Sequence, residues 1–376
     1  MITTMHEGPI SISESDLPQL IAILNQVFRS EGGDMAQDYP RHLGLNNRDM
    51  VRVIKDDGQI VSHVATSIRP VSLGGIQTAV AGIGAVATLP EARGKGYASM
   101  LMADAVERSV AAGADIMLIS GDEGIYKRMH AVECGRFSEI YIEKENFTSI
   151  NSPFETSQVS HTQLEDIVRL RQELSIRYLL PLEDIQALFQ CKWVMDKSSE
   201  WWIVKDENQI IGFGVIHKDG SDIHLLDWVG ASEALIELTN HCFYHLNGDR
   251  LIFITPDLST LPFGWRNWVR CEVPFDGTIL VIQAERLLQR AEAYIQERIG
   301  ETLWDKVNLK AEAQRVTFQF ENESASFDNG GELAQLFFGQ VEGDIIAEKT
   351  EANGQLCVVL KKIFPIPLVW YGLGYV

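Results

Sequence analysis

An internal repeat is the feature that most constrains how this chain folds. Residues 53–61 read VIKDDGQIV and residues 203–211 read IVKDENQII, so one pattern returns 150 residues later. In each copy, two runs of β-forming residues flank a polar turn, DG in the first and EN in the second. This arrangement predicts a β-hairpin at both places.

A helix is predicted before each hairpin, and the shared order of elements supports the repeat. The first helix begins near Ser13 or Ser15, and its apolar residues recur at helical spacing as far as Phe28. The second begins near Ser160, where Gln163 three residues later makes the pattern of a capping box. The sequence therefore predicts two copies of one α/β domain.

Three domains are predicted for the 376 residues, in a fold of the mixed α/β class. The two tandem α/β copies are residues 1–148 and residues 149–282. Residues 283–376 have a different pattern, in which a helix over 284–299 is followed by strand-like alternation in 316–320. This last part is expected to be a smaller α+β domain.

The strongly acidic composition restricts the partners. The chain has 32 Lys and Arg residues against 52 Asp and Glu residues, and its net charge is −20. Because such a chain repels phosphate backbones and anionic lipids, nucleic acid and membrane are not expected partners, and a cationic small molecule is favoured. No apolar run reaches the ~18 residues of a membrane span, and the N-terminus lacks a signal-peptide pattern, so a cytoplasmic protein is expected.

The cysteines and histidines predict no metal site. The five cysteines are odd in number and show no C-x-x-C spacing, which is typical of buried free thiols. His241 and His245 are four residues apart on a predicted helix, as two zinc ligands would be, but no third ligand is evident.

The turn at residues 93–98, RGKGYA, carries the most specific chemical prediction. It follows an apolar strand and precedes a helix over about 97–112. A helix N-terminus presents unpaired N–H groups, the two glycines allow close backbone approach, and the arginine and lysine add positive charge. The pattern predicts a pyrophosphate site. It is not a P-loop, since no Gly-Lys-Ser/Thr is present. The nearby Gly82-x-Gly84 resembles a dinucleotide-binding fingerprint, but that fingerprint should open a helix, and here it lies in an extended run.

The segment VATLPEARGKGYA, residues 86–98, resembles the acetyl-CoA signature of the GNAT N-acetyltransferases. The resemblance implies that the turn binds the pyrophosphate of acetyl-CoA and that the preceding strand pairs with the pantetheine arm. An ordinary Gly-rich turn between a strand and a helix is the alternative. The cofactor-binding residues that the resemblance implies are Val86, Ala87, Thr88, Arg93, Gly94, Lys95, Gly96, Tyr97, Ala98, Gly121 and Asp122.

The layout of the whole chain is similar to the Eis (enhanced intracellular survival) acetyltransferases, which combine two GNAT domains with a sterol-carrier-protein-like third domain. Those proteins carry a Gly-Ile-Tyr motif, found here as residues 124–126. The resemblance implies that Tyr126 is the general acid, that the C-terminal carboxylate of Val376 is the general base, and that the protein is a homo-oligomer, a hexamer. The stretch after Tyr126 departs from the family pattern, so the amine acceptor is not defined by it.

The residues themselves leave several roles open. Acetyl transfer to an amine needs a proton acceptor and a donor near the sulfur, and a tyrosine stays protonated at neutral pH. Tyr126 is also compatible with a position in the core. The apolar segment before Val376 is also compatible with a tail that only packs on its own domain. His130 is a rival base. Asp122 and Glu123 suit either a cationic acceptor or loop charges.

The predicted function is transfer of acetyl from acetyl-CoA to an amine of a small, cationic acceptor by direct attack on the thioester. A protein lysine is the second choice of acceptor. The alternative is a CoA- or lipid-binding module with an idle acetyltransferase site. Trp304, Phe318 and Phe320 facing a cavity would favour that alternative.

Overall fold

The computed structural model describes residues 6–149, 152–351 and 354–375, and its fold is mixed α/β as predicted. The first part of the chain contains the turn at residues 93–98, which we call the signature turn. Its strands are β1 (His6–Ser11), β2 (Val51–Asp56), β3 (Gln59–Leu73), β4 (Ile76–Thr88), β5 (Ile116–Ile119) and β6 (Phe137–Glu143). Its helices are α1 (Leu17–Phe28), α2 (Met35–Asp38), α3 (Tyr97–Ala111) and α4 (Gly124–Arg128).

The second part of the chain begins after β6. Its strands are β7 (Glu155–Gln158), β8 (Ile176–Tyr178), β9 (Trp193–Val194), β10 (Lys197–Ser198), β11 (Glu200–Asp206), β12 (Gln209–Asp219), β13 (Asp222–Gly230), β14 (Arg250–Thr255), β15 (Val269–Val273) and β16 (Thr278–Val281). Its helices are α5 (Leu164–Arg171), α6 (Leu182–Cys191) and α7 (Ser232–Tyr244).

The third part contains a small sheet and further helices. Its strands are β17 (Val307–Glu312), β18 (Arg315–Phe320) and β19 (Glu323–Phe327), and its helices are α8 (Ala284–Ile299), α9 (Glu301–Trp304), α10 (Gly330–Phe338), α11 (Ile345–Lys349) and α12 (Gln355–Ile363). Within the three described ranges, no helix combines the length and apolar character that a membrane crossing requires.

The local elements predicted for the two copies are present. Strands β2 and β3 form the first hairpin and β11 and β12 the second, and in each hairpin two residue pairs separate a β-bulge from the turn. The capping box predicted at Ser160 and Gln163 is present, and Ser13 forms the matching one with Asp16. Both hairpins and both helix starts are therefore confirmed.

Each large sheet includes strands from the other part of the chain: β8 and β16 in the first sheet, and β6 in the second. The first sheet runs β1-β2-β3-β4-β5-β16, with β8 paired to β3, and the second runs β15-β6-β14-β13-β12-β11-β7. Strand β6 precedes the second copy in sequence but pairs with β14, whereas β16 lies at the end of that copy and pairs with β5. The domain boundaries predicted after residues 148 and 282 stay a prediction, and two strand pairs, β6 with β14 and β16 with β5, join the first two predicted domains.

One large apolar cluster joins the three parts. It contains buried side chains of the first sheet, the second sheet and the C-terminal helices, among them Ile116, Phe213 and Phe318. Phe318 and Phe320 are buried in this core, and Phe318 packs edge-on against Phe327 and Phe364. They therefore do not have the cavity-facing arrangement that would favour a lipid-binding module. The likeness of this part to sterol carrier proteins stays a prediction.

The cysteines are free, as predicted, but they are not all buried. Cys134, Cys242 and Cys357 are buried, Cys191 is half-buried and Cys271 is exposed. Cys271 is exposed because it lies on β15, at the edge of the second sheet. The prediction of buried thiols is therefore wrong for Cys271.

Candidate active site

The first opening is the gap between β4 and β5 beyond their last paired residues. These parallel strands pair from Val80 and Ile116 to Ile83 and Ile119, and β4 then continues for five residues to Thr88. Backbone polar groups on this side of β4 consequently have no neighbouring strand. Such an edge can pair with an extended ligand.

A β-bulge in β4 directs the chain into this opening. The pairing of β3 with β4 shifts register between His63 and Ala65, and Ala85 opposite the shift has a left-handed φ of 53°. The buried His63 ring holds the Ala85 carbonyl at 2.8 Å from Nδ1. Burial lowers the pKa of His63 to about 4, so the ring is neutral at pH 7.

The signature turn connects the end of β4 to the start of α3. Gly94 and Gly96 have φ of 78° and 80°, the left-handed region that favours glycine, and Gly96 is the N-cap of α3. A Cβ atom at either glycine would meet no atom within 4 Å, so the space over the turn is open. The first N–H groups of α3 face this space without intrahelical acceptors.

The two cations of the turn differ in their surroundings. Arg93 is exposed, and its Nε lies 3.4 Å from the Thr88 carbonyl oxygen. Lys95 forms an ion pair with Asp56 at 3.0 Å, and this hydrogen bond raises the pKa of Lys95. An anion on the turn would therefore compete with Asp56 for Lys95.

A cavity of about 360 Å³ extends from the first opening. One side is formed by residues 83–86 of β4, residues 120–123 after β5, and Tyr126 of α4. The other side is formed by Phe28, Arg29, Met35, Tyr39 and His42, together with Asp196 and Tyr375. The cavity thus combines residues from the first repeat, the second repeat and the C-terminal end.

Tyr126 is a buried side chain in the cavity wall. Its ring packs over Gly121, where a Cβ atom would approach the ring to 3.2 Å. Burial, helped by the nearby Glu123 carboxylate, raises the pKa of Tyr126 to about 12. The hydroxyl therefore stays protonated at neutral pH and can donate a proton.

Asp196 enters the cavity from the turn between the short strands β9 and β10. This turn consists of Met195 and Asp196, which both have left-handed φ. The Asp196 carboxylate accepts hydrogen bonds from the hydroxyls of Tyr39 and Tyr375, the latter at 3.3 Å, and pairs with Arg29 at 3.1 Å. Burial and the Asp196 charge raise the pKa of both tyrosines, which keeps their hydroxyls protonated.

His42 is a buried histidine beside the same cavity. Burial and the neighbouring Arg69 lower the pKa of His42 to about 3, so it is neutral and a weak base. Neither ring nitrogen makes a hydrogen bond of good geometry with the described residues, although the Gly84 backbone lies close. His42 was not predicted, because nothing in its local sequence marks it.

The predicted site residues fall into two groups. Val86, Gly121, Asp122 and Tyr126 line the cavity, and Glu123 joins them. The other predicted cofactor residues continue β4 and form the signature turn at the outer end of the first opening; they are Ala87, Thr88, Arg93, Gly94, Lys95, Gly96, Tyr97 and Ala98. His130 is exposed and does not line the cavity. Val376 lies outside the described residues, and Tyr375 before it lies in the cavity wall.

Sequence reasoning missed Arg29, Tyr39, His42, Asp196 and Tyr375. These residues are brought together by contacts between distant segments, and none belongs to a local motif. Among the described parts of the chain, no group of three or more His, Cys, Asp or Glu side chains could hold a metal. His241 and His245 instead stack on each other with ring centroids 5.1 Å apart.

Comparison with known proteins identifies the first part of the chain. Residues 9–131 match the family model of the acetyltransferase (GNAT) domain. No curated protein sequence matches the chain significantly.

Solved structures with a similar fold cover nearly the whole chain. A GCN5-related N-acetyltransferase from Kribbella flavida has a TM-score of 0.67 at 15% identity and covers 98% of this chain and 97% of its own. One from Anabaena variabilis has a TM-score of 0.66 at 15% identity, covering 97% and 100%. Eis1 from Mycobacterium abscessus has a TM-score of 0.64 at 12% identity, covering 99% and 100%.

At these identities the structural likeness concerns the fold alone, so the family model carries the functional assignment. Its match ends at residue 131, shortly after Tyr126, and includes β4, the signature turn and α3. Residues 9–131 therefore match an acetyltransferase (GNAT) domain, and this match confirms the prediction of an N-acetyltransferase enzyme.

Proposed function

We propose that this protein transfers the acetyl group of acetyl-CoA directly to an amine of a small, cationic molecule. The observation that carries the proposal is the first opening, which links the signature turn to a cavity containing Tyr126. A thioester carrier bound along β4 has its diphosphate at the turn and its reactive end toward the cavity. The cavity is large enough for a small acceptor beside that end.

The carrier site is supported by the signature turn. The open space over Gly94 and Gly96, the N-terminus of α3 and the exposed Arg93 suit a diphosphate. Lys95 is expected to exchange its pairing with Asp56 for one with the ligand. Acetyl-CoA supplies the activated acetyl group.

The proton donor in this proposal is Tyr126. The amine nitrogen attacks the thioester carbonyl carbon, an N–C bond forms, and the C–S bond breaks. The raised pKa of Tyr126 keeps a proton on its hydroxyl, which passes to the departing thiolate. We assign acceptance of the amine proton to the carboxylate of Val376, because Tyr375 next to it lines the same cavity.

The charge around the cavity favours a cationic acceptor. Asp122, Glu123 and Asp196 line it, whereas Arg29 is the one cation among the lining residues that the structure describes. Arg29 already pairs with Asp38 at 2.7 Å and with Asp196. The remaining negative potential attracts an ammonium group, in line with the net charge of −20.

The proposal is tested by turnover with acetyl-CoA and a panel of amines and polyamines, measured as release of free thiol. Tyr126→Phe is expected to lower kcat by ~100-fold with little change in the KM for acetyl-CoA, because only proton donation is lost. Tyr244→Phe, an exposed tyrosine outside the cavity wall, is the matched control. A variant extended by one glycine after Val376 should also lose most turnover.

Unchanged rates in both altered enzymes would exclude these acid and base assignments. Absence of thiol release with every amine, while acetyl-CoA still binds, would exclude the proposed acceptor class.

A further inference from the structure

The second repeat contains a gap equivalent to the first opening, which we call the second opening. Strands β13 and β14 are parallel and pair up to Leu225 and Phe253, after which β13 continues to Gly230. A register shift between Val215 and Ile216 marks a bulge in β12–β13 at this point, as in the first repeat. Asp227 lies two residues beyond the last pair, the position that Ala85 has in β4.

The C-terminal tail, residues 366–375, lies in the second opening. The cavity that remains there is only about 70 Å³, and Val369, Trp370 and Gly372 line it together with Asp227 and Trp228. Tyr371 and Leu373 are buried. The second opening is therefore filled by the protein's own chain.

The Asp227 side chain binds the backbone of the tail. One carboxylate oxygen accepts a hydrogen bond from the Leu373 N–H at 2.8 Å, and the other pairs with Arg171. The Arg171 and Asp227 side chains are 7% and 11% exposed, so this network is shielded from water. Hydrogen bonds to a charged group in such surroundings are stronger than ordinary ones.

Glycines on the tail permit this close contact. Gly372 has a φ of 47°, and a Cβ atom there would overlap the Asp227 carboxylate. A Cβ atom at Gly374 would overlap the Tyr178 ring. These close contacts therefore fix the position of the tail in the second opening.

Beyond its contact with Asp227, the tail reaches the candidate active site. Tyr375 is two positions beyond Leu373, and its hydroxyl donates to Asp196 in the cavity wall. Both carboxylates that hold the tail, Asp227 and Asp196, belong to the second repeat. The second repeat thus contacts the tail at two successive points.

We propose that the second repeat is a clamp for the C-terminal tail and that Asp227, oriented by Arg171, is a positioning residue for acyl transfer. The clamp sets how far Tyr375 projects into the cavity that Tyr126 also lines. The clamp itself stands on the contacts of the tail, while its effect on turnover rests on the proposed function.

The test combines hydrogen exchange of the tail with steady-state kinetics on the full chain. Asp227→Asn removes the charge but keeps the size of the side chain. We expect faster amide exchange in a peptide covering the tail and a kcat lowered by ~10–100-fold, with the KM for acetyl-CoA unchanged, because misplacement affects the reacting end and not the carrier turn. Asp222→Asn, on the exposed end of the same strand, is the matched control and should change neither quantity.

A second variant disturbs the same contact from the other side. Gly372→Ala leaves Arg171 and Asp227 intact and should reproduce both effects, so the result does not depend on the folding of one variant. Tail exchange that is equal to wild type in both variants would overturn the clamp. Faster exchange with unchanged kcat would overturn the positioning role. Failure of the wild-type enzyme to acetylate any amine would instead count against the proposed function, because tail exchange is measured without turnover.

Discussion

The two openings have the same architecture but different contents. In the first, β4 separates from β5 beside an eight-residue connection, residues 89–96, and a cavity of about 360 Å³ remains. In the second, Ala231 alone separates β13 from α7, and the C-terminal tail leaves only about 70 Å³. Both openings therefore lie where a parallel strand pair separates beside a bulge.

The connections that follow β4 and β13 suit different ligands. The longer connection of the first opening provides glycines with left-handed φ, a free helix N-terminus and two cations, which suit an anionic carrier. The second opening has an aspartate at the position of Ala85 and no such turn, and a peptide N–H binds to it. The first opening therefore suits the anionic carrier proposed above, whereas the second holds a segment of the chain.

The largest expected effect concerns the ion pairs at the starts of β5 and β14, the strands that pair with β4 and β13. Asp115, directly before β5, is 0% exposed and pairs with Arg286 at 2.5 Å and Arg290 at 2.6 Å, both on α8. Arg250, at the equivalent start of β14, pairs with partly exposed carboxylates. We expect Asp115→Ala to lower the free energy of unfolding by about 3 kcal/mol, since two arginines lose a buried partner.

Urea denaturation monitored by circular dichroism measures this difference. Arg250→Met is the matched substitution in the second sheet and should leave the urea midpoint nearly unchanged, because exposed ion pairs contribute little. Equal losses in the two variants would show that the buried anchor of β5 does not distinguish the openings.

The next effect tests the difference between the two connections. Gly96→Val places a β-branched residue at a φ of 80° and should distort the signature turn, so we expect the KM for acetyl-CoA to rise by ~10–100-fold. Ala231→Val occupies an extended conformation, with φ of −65°, in the second connection and should leave this KM unchanged. A similar KM in both variants would contradict the assignment of the first connection as the carrier site.

Local elements of both repeats were predictable, whereas the contents of the openings were not. The hairpins, the capping box at Ser160 and the turn at Gly94 and Gly96 depend on residues close in sequence, so periodicity and turn chemistry indicate them. The exchange of β6 and β16 and the contact of Asp227 with Leu373 join segments far apart in sequence. Their local sequences carry no signal for those partners.

The cavity shows the same division. Tyr126 belongs to a short motif and was found from it, but Asp196 approaches from a turn of the second repeat and Tyr375 from the tail. No pattern within either segment indicates that they meet. Half of the candidate site is therefore defined only by tertiary structure.

The last expected effect is a pH dependence that belongs to the first opening. His42 and His63 lie behind it, and burial lowers their pKa values to about 3 and about 4, below the 6.5 of an unfolded histidine. Between pH 6.5 and about 4, the unfolded chain therefore binds protons that the folded chain does not. Stability should fall as pH falls through this range, by about 1.4 kcal/mol per pH unit for each histidine.

Unfolding free energies from urea titrations at pH 7 and pH 5 measure this slope. His63→Gln removes one titrating ring while its amide can still donate to the Ala85 carbonyl, so the difference between the two pH values should shrink by the share of one histidine. The control is His224→Gln in the second repeat. Its ring is only half-buried, and a smaller lowering of its pKa by burial predicts a smaller change in slope. A larger change for His224→Gln than for His63→Gln would assign the acid sensitivity to the second repeat and contradict this distinction between the openings.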